Sequence, residues 1–188
     1  MKRLVRILLV LLLAATGVTL ASPAQAAPYC GIRWGSLAKT AEGTANGTFL
    51  GVRTGRHACY DRLVVDVAGS ISGYWVGYTG TRVGERGIFD GASSSGDDLR
   101  GRITLSITVN LATTDSAGTP TYQPRWHYVS ELANVSHYRT FRQVAGGSGY
   151  QGYAILGIGV RARLPFRVFT LDGPDGRTRL VVDVAHRW

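Results

Sequence analysis

The sequence predicts an all-β chain: an antiparallel β-sandwich of about nine short strands in a single domain. Three observations lead there. Runs rich in Val, Ile, Leu and Thr recur at strand length, and β-branched side chains crowd a helical backbone but suit an extended one. Clusters of Gly, Pro, Asn, Asp and Ser separate those runs. No window of adequate length spaces its apolar residues at the three-and-four rhythm of a helix.

A leader comes first. Lys2, Arg3 and Arg6 precede an apolar run from Ile7 to Ala15, and Ala24-Gln25-Ala26 supplies the small residues of a cleavage site. The run is shorter than a membrane span requires, and no later run approaches that length. Residues 1–26 are therefore expected to be a secretory signal peptide, and 27–188 an exported domain without a membrane anchor. Removing 26 of 188 residues leaves 162, enough for one domain that buries about 70% of its unfolded surface.

The strands follow in order. Tyr29 to Ser36 reads as the first, and 38–47 as a loop by composition. Thr48 to Arg53 is the second, and Arg62 to Ala68 the third. Ile71 to Thr79 is next, with Tyr74, Val76 and Tyr78 on one face and Trp75 on the other. Residues 80–101 are rich in glycine, with Gly84, Gly87, Gly91, Gly96 and Gly101 among them, and show no core pattern. Ile103, Leu105, Ile107 and Val109 then alternate with Arg102, Thr104, Ser106 and Thr108, the clearest half-buried strand in the chain. A proline-containing loop spans 112–125. Short strands are expected around 126–130, 138–145, 151–163 and 165–171, before the turn Gly173-Pro174-Asp175-Gly176 and a last strand over 179–185.

The third and last strands are the same heptapeptide. Arg62-Leu63-Val64-Val65-Asp66-Val67-Ala68 recurs letter for letter as Arg179-Leu180-Val181-Val182-Asp183-Val184-Ala185. Alternation puts Leu63, Val65 and Val67 toward a core, and Arg62, Val64 and Asp66 on a face covered only in part. An antiparallel pairing with Val64 opposite Val181 would set Arg62 against Asp183 and Asp66 against Arg179. Such pairs add ~0.2–1 kcal/mol each, so they fix register more than stability.

The two cysteines, Cys30 and Cys59, are expected to form a disulfide, because export takes them to an oxidising compartment. The loop of about thirty residues that it closes implies a stabilisation of ~3–4 kcal/mol.

Catalytic signals are weak. His57, His127, His137 and His186 show no metal-ligand spacing, so neither metal nor cofactor is expected. Gly146-Gly147-Ser148-Gly149 is followed by Tyr150 where a nucleophile elbow needs glycine. For a hydrolase, the rival reading, His57 near Asp61 is the least poor pair.

Recognition has more support. The formal net charge is +9, falling to +6 without the three leader cations, and Lys39 is the only lysine after the leader. Such a chain suits anionic polymers of an envelope, whereas export separates it from nucleic acid. Arg161, Arg163 and Arg167 share one face of an extended Val160–Phe169 stretch, a row of guanidinium forks for carboxylate or phosphate. Pro165 places a break or a sheet edge within it. Tyr74, Tyr78, Tyr150 and Tyr153 lie in glycine-rich surroundings and could stack on sugar rings.

The heptapeptide copies, the segment Arg53-Thr54-Gly55-Arg56-His57-Ala58-Cys59-Tyr60-Asp61, and the ending from Gly159-Val160-Arg161-Ala162-Arg163-Leu164-Pro165-Phe166-Arg167 through Val182-Asp183-Val184-Ala185-His186 resemble the AMIN-like domain of secreted Gram-positive bacterial proteins. That domain is distantly similar to the AMIN domain of cell-wall amidases and secretins. The likeness covers most of residues 29–188. It implies a β-sandwich, a non-catalytic role in envelope targeting, and peptidoglycan as the ligand class. It supplies no binding residues. The amidases join their AMIN domain to a catalytic domain, which this chain lacks, so a cell-wall protein is a further expected partner.

Overall fold

The computed structural model describes residues 28–43, 47–79, 99–122, 130–150 and 152–188, apart from the side chains of 130 and 147–150. The leader, most of the 80–101 segment and residues 123–129 lie outside the described residues. Ten strands are described: β1 (Lys39–Ala41), β2 (Gly47–Arg56), β3 (Tyr60–Ala68), β4 (Tyr74–Thr79), β5 (Ile103–Ala112), β6 (Ser130–Glu131), β7 (Phe141–Tyr150), β8 (Tyr153–Val160), β9 (Phe166–Asp172) and β10 (Arg177–Ala185).

The heptapeptide copies are neighbours. In β3 and β10 they pair antiparallel with Val64 opposite Val181, Arg62 opposite Asp183 and Asp66 opposite Arg179, the register the charge pattern predicts. The flanking strands extend this pair to an antiparallel layer in the order β2-β3-β10-β9. A second antiparallel layer runs β1-β4-β5-β8-β7-β6. The layers join where β2 and β5 run parallel for two residues, Gly47 beside Leu111 and Thr48 beside Ala112. The expected all-β single domain is thus a mixed sheet, curled until it is nearly closed like a barrel.

The core fills the space between the layers. Leu63, Val65 and Val67 of β3 and Leu180, Val182 and Val184 of β10 meet Leu105, Ile107, Val109 and Leu111 of β5, with Phe141 and Phe166 the largest fully buried side chains. Each such residue contributes about 1.5–3 kcal/mol by leaving water. In β3 burial alternates strictly, as its pattern predicts. In β10 it does not: every residue from Leu180 to Ala185 is buried, with the Arg62 and Arg167 side chains over Asp183 on its outer face.

Three expectations about local structure are corrected. Tyr29–Gly31 is a 3₁₀ turn rather than the start of a strand, with Cys30 at φ 56° and the Trp34 indole Nε1 donating to the Tyr29 carbonyl at 2.9 Å. Only Gly35 makes a β-bridge there, to Phe166. Within the expected 38–47 loop, Lys39–Ala41 adds a strand beside β4. Residues 161–165 leave the sheet, so the predicted 151–163 strand ends at Val160. Pro165, which has no N–H for a ladder, stands in that break.

The Cys30–Cys59 disulfide forms, with the Cα atoms 6.4 Å apart. It ties the N-terminal turn to the start of β3 and suits an extracytoplasmic protein. Replacing both cysteines by serine is expected to lower the unfolding free energy by ~3–4 kcal/mol, read from urea midpoints together with m-values, which should rise because the uncrosslinked chain exposes more surface on unfolding. No described helix is long and apolar enough to cross a membrane.

Candidate functional site

The two layers present different outer faces. On the β2-β3-β10-β9 face, each heptapeptide aspartate collects two arginines. Asp183 receives Arg62 in a two-pronged bond (Nε 2.6 Å, Nη2 2.9 Å) and Arg167 of β9 (Nε 2.8 Å). Asp66 receives Arg53 of β2 (Nε 2.6 Å, Nη2 2.7 Å), with Arg179 at 3.8 Å. Each aspartate therefore takes one arginine from the other copy and one from the flanking strand. These bonds raise the Arg62 and Arg53 guanidinium pKa values above their ordinary level. Tyr60, Trp34 and Phe169 lie against the Arg167 guanidinium at 5.0–5.6 Å, completing an arginine–aromatic surface.

The predicted arginine row separates. Arg167 bonds to Asp183, Arg161 donates to the His186 carbonyl, and Arg163 lies over the Tyr78 ring at 5.1 Å. The row needed an unbroken strand, and the chain leaves the sheet between Val160 and Phe166. Tyr78 also works within the fold. Its hydroxyl donates to the Leu164 carbonyl at 2.6 Å and accepts from the Leu164 N–H at 3.1 Å, while its ring meets Phe166 edge-on. Burial pushes the Tyr78 phenol up to about 12. Because the folded form holds this proton more tightly than the unfolded chain, the stability it brings is complete below pH 10 and declines between about 10 and 12. An absorbance titration should show one tyrosine ionising near the top of that window, and Tyr78→Phe should abolish that step.

The histidine expected beside Asp61 is a different one. Asp61 points inward in β3 and His57 stacks on outward-facing Tyr60 at 4.4 Å, so the strand separates them. Asp61 Oδ1 instead lies 3.1 Å from His186 Nε2, and its Oδ2 accepts from the Thr140 and Phe141 N–H groups at 2.5 and 3.1 Å. His186 Nδ1 lies 3.2 Å from the Ala58 carbonyl oxygen. Both ring nitrogens thus face oxygen atoms of β3 or the turn before it. This buried network ties β3, the start of β7 and the end of β10 together. Among the described residues, no group of three or more His, Cys, Asp or Glu could hold a metal ion.

The other layer carries a groove. Along β5, Thr108 and Asn110 project to the outer face, with Trp75 of β4 directly opposite Thr108 and Tyr153 of β8 directly opposite Asn110. Trp75 and Tyr153 are among the exposed large aromatic side chains, 36% and 41% accessible. Thr40 and Glu42, in and beside β1, and half-buried Tyr74 complete the groove lining. The groove holds about 420 Å³, within the range of small-ligand sites. Asn110 Nδ2 donates to the Gly43 carbonyl at 3.1 Å, which orients the amide. Trp75 lies over Gly77, where a Cβ would come within 2.6 Å of the indole, so this glycine lets the ring lie flat on the sheet. A second cavity, about 530 Å³ beside Asn134 and Ser136, has its two charged lining groups, Arg100 and Glu131, bonded to each other.

Of the predicted tyrosines, Tyr74 and Tyr153 meet in the groove and Tyr78 does not; the Tyr150 side chain lies outside the described set. Trp75, Thr108, Asn110 and Glu42 were missed as site residues. The alternation that turns Trp75 and Thr108 outward was legible, but the register joining β4, β5 and β8 was not.

A family model for the AMIN-like domain matches residues 47–186, most of the chain. The chain belongs to the AMIN-like family. The match spans β2 through β10, so the AMIN-like domain includes both outer faces, with β1 and the Cys30 turn preceding it. A comparison with curated proteins finds no match. AMIN domains are associated with cell-envelope and peptidoglycan contexts.

Proposed function

We propose that this AMIN-like protein is a secreted, non-catalytic binding module that associates with cell-envelope glycan, peptidoglycan or a polymer attached to it, through the groove of β1, β4, β5 and β8. One observation carries the reading: Trp75 and Tyr153 flank an oriented amide and a hydroxyl on an open sheet face. Aromatic faces stack on the C–H faces of sugar rings, and amide and hydroxyl groups bond the ring hydroxyls. The family and the disulfide agree with an envelope setting.

The test is retention of the leaderless protein on purified sacculi, with and without their anionic polymers, across a salt series. Retention is expected, and the double variant Trp75→Ala/Tyr153→Ala is expected to lose most of it while keeping its melting temperature. Failure of the parent protein to be retained under any condition would remove the reading.

A second reading, a module that docks a cell-wall protein, draws on the arginine–aromatic face. Arg62, Arg167, Tyr60 and Trp34 are residue types that dominate binding energy at protein interfaces. Co-purification of one stoichiometric protein, lost on changing Trp34 and unaffected by Trp75→Ala, would favour it.

A further inference from the structure

Resting on that reading, we infer that the groove selects an uncharged sugar segment and rejects anionic polymer. The chain is strongly basic, with a formal net charge of +9, yet among the described residues no arginine or lysine lines the groove. The one charged lining residue among them is Glu42, a carboxylate. A phosphate- or carboxylate-bearing polymer entering there would meet like charge and no cation. The recognising groups that remain are neutral: the Trp75 and Tyr153 rings, the Thr40 and Thr108 hydroxyls, and the Asn110 amide. Asn110 spends one amide hydrogen on Gly43 and has no other side-chain partner among the described residues, which leaves its carbonyl oxygen and second hydrogen for a ligand. Neutral polar groups beside aromatic faces match a pyranose, whose two faces are C–H and whose rim is hydroxyl.

A cluster of cations lies elsewhere. Arg53, Arg62, Arg167 and Arg179 are on the outer face of the other layer, so this arginine cluster and the sugar-matching chemistry occupy different surfaces. Binding at the groove should therefore be nearly indifferent to salt, because no ion pair forms there to be screened.

The leaderless protein, titrated by calorimetry with neutral oligomers of β-1,4-linked N-acetylglucosamine and of β-1,4-linked glucose, should bind at least one, with affinity changing less than about twofold between low and high salt. Trp75→Ala should weaken that binding roughly tenfold. Gly77→Ala tests the same ring without removing it: the new methyl displaces the indole from its seat, so affinity should fall while the melting temperature holds. Poly(glycerol phosphate) should not compete at the groove, and Glu42→Arg should make it compete. Retention on sacculi with no binding of either neutral oligomer, or neutral binding that ignores both Trp75→Ala and Gly77→Ala, would overturn this inference and leave envelope association standing. So would competition by poly(glycerol phosphate) in the unaltered protein, or binding of a cationic glucosamine oligomer in place of the neutral ones. Loss of sacculus retention as well would overturn both.

Discussion

Replacing Asp61 by alanine is expected to lower the unfolding free energy by about 3–5 kcal/mol, because three buried donors lose their acceptor and each such loss costs about 1–3 kcal/mol. The carboxylate is fully buried and accepts from two backbone N–H groups and His186. Alanine leaves the Thr140 and Phe141 N–H groups without a partner and the His186 ring short of one, in a place that water does not reach. Asparagine should cost less, because its carbonyl oxygen can still accept from Thr140 and Phe141. Urea unfolding of the two variants checks the order. A double-mutant cycle with His186→Ala should show coupling above about 1 kcal/mol, since the residues share one network. A cost below 1 kcal/mol for Asp61→Ala would mean that some other contact holds the start of β7 to the end of β10.

Asp183→Ala should also cost about 3–5 kcal/mol, whereas Asp66→Ala should cost no more than about 1 kcal/mol. The two aspartates occupy the same place in identical heptapeptides, so the comparison isolates environment from sequence. Asp183 is fully buried and holds both Arg62 and Arg167, whose side chains are 22% and 32% exposed. Asp66 is 23% exposed, and its closer partner Arg53 is 62% exposed, so water replaces much of what is lost. Arg62→Ala should couple to Asp183→Ala more strongly than Arg53→Ala does to Asp66→Ala. Equal costs at the two aspartates would show that the second layer of side chains over β10 contributes little.

Much of the fold was legible before any coordinates. Hydrophobic alternation placed β5 and the inner faces of β3 and β10, because one-sided burial demands period two. The register of the two copies followed from their charges, since opposite signs four residues apart are satisfied when antiparallel copies cross at their centre. The cysteine pair followed from their number and the export that the leader predicts. The turn at Gly173–Gly176 closes the β9–β10 hairpin as its composition predicts, with Asp175 and Gly176 both left-handed.

The candidate site was less legible. An arginine row was expected where the chain in fact leaves the sheet and spends its three guanidinium groups on Asp183, the His186 carbonyl and the Tyr78 ring. His57 stood nearest Asp61 in the chain, but it lies in the turn before β3 and folds over outward-facing Tyr60, and the inward side brought His186 from 125 residues away.

The sequence alone therefore determined the all-β class, the strand faces, the pairing of the two heptapeptides and the disulfide, because each rests on local pattern or on a short list of partners. Only the assembled sheet decided which aspartate is buried, which histidine meets Asp61, and that Trp75, Thr108, Asn110 and Tyr153 from three strands share one groove. Identical heptapeptides have identical local preferences, so any difference between them comes from neighbours that the chain brings in from far along its length.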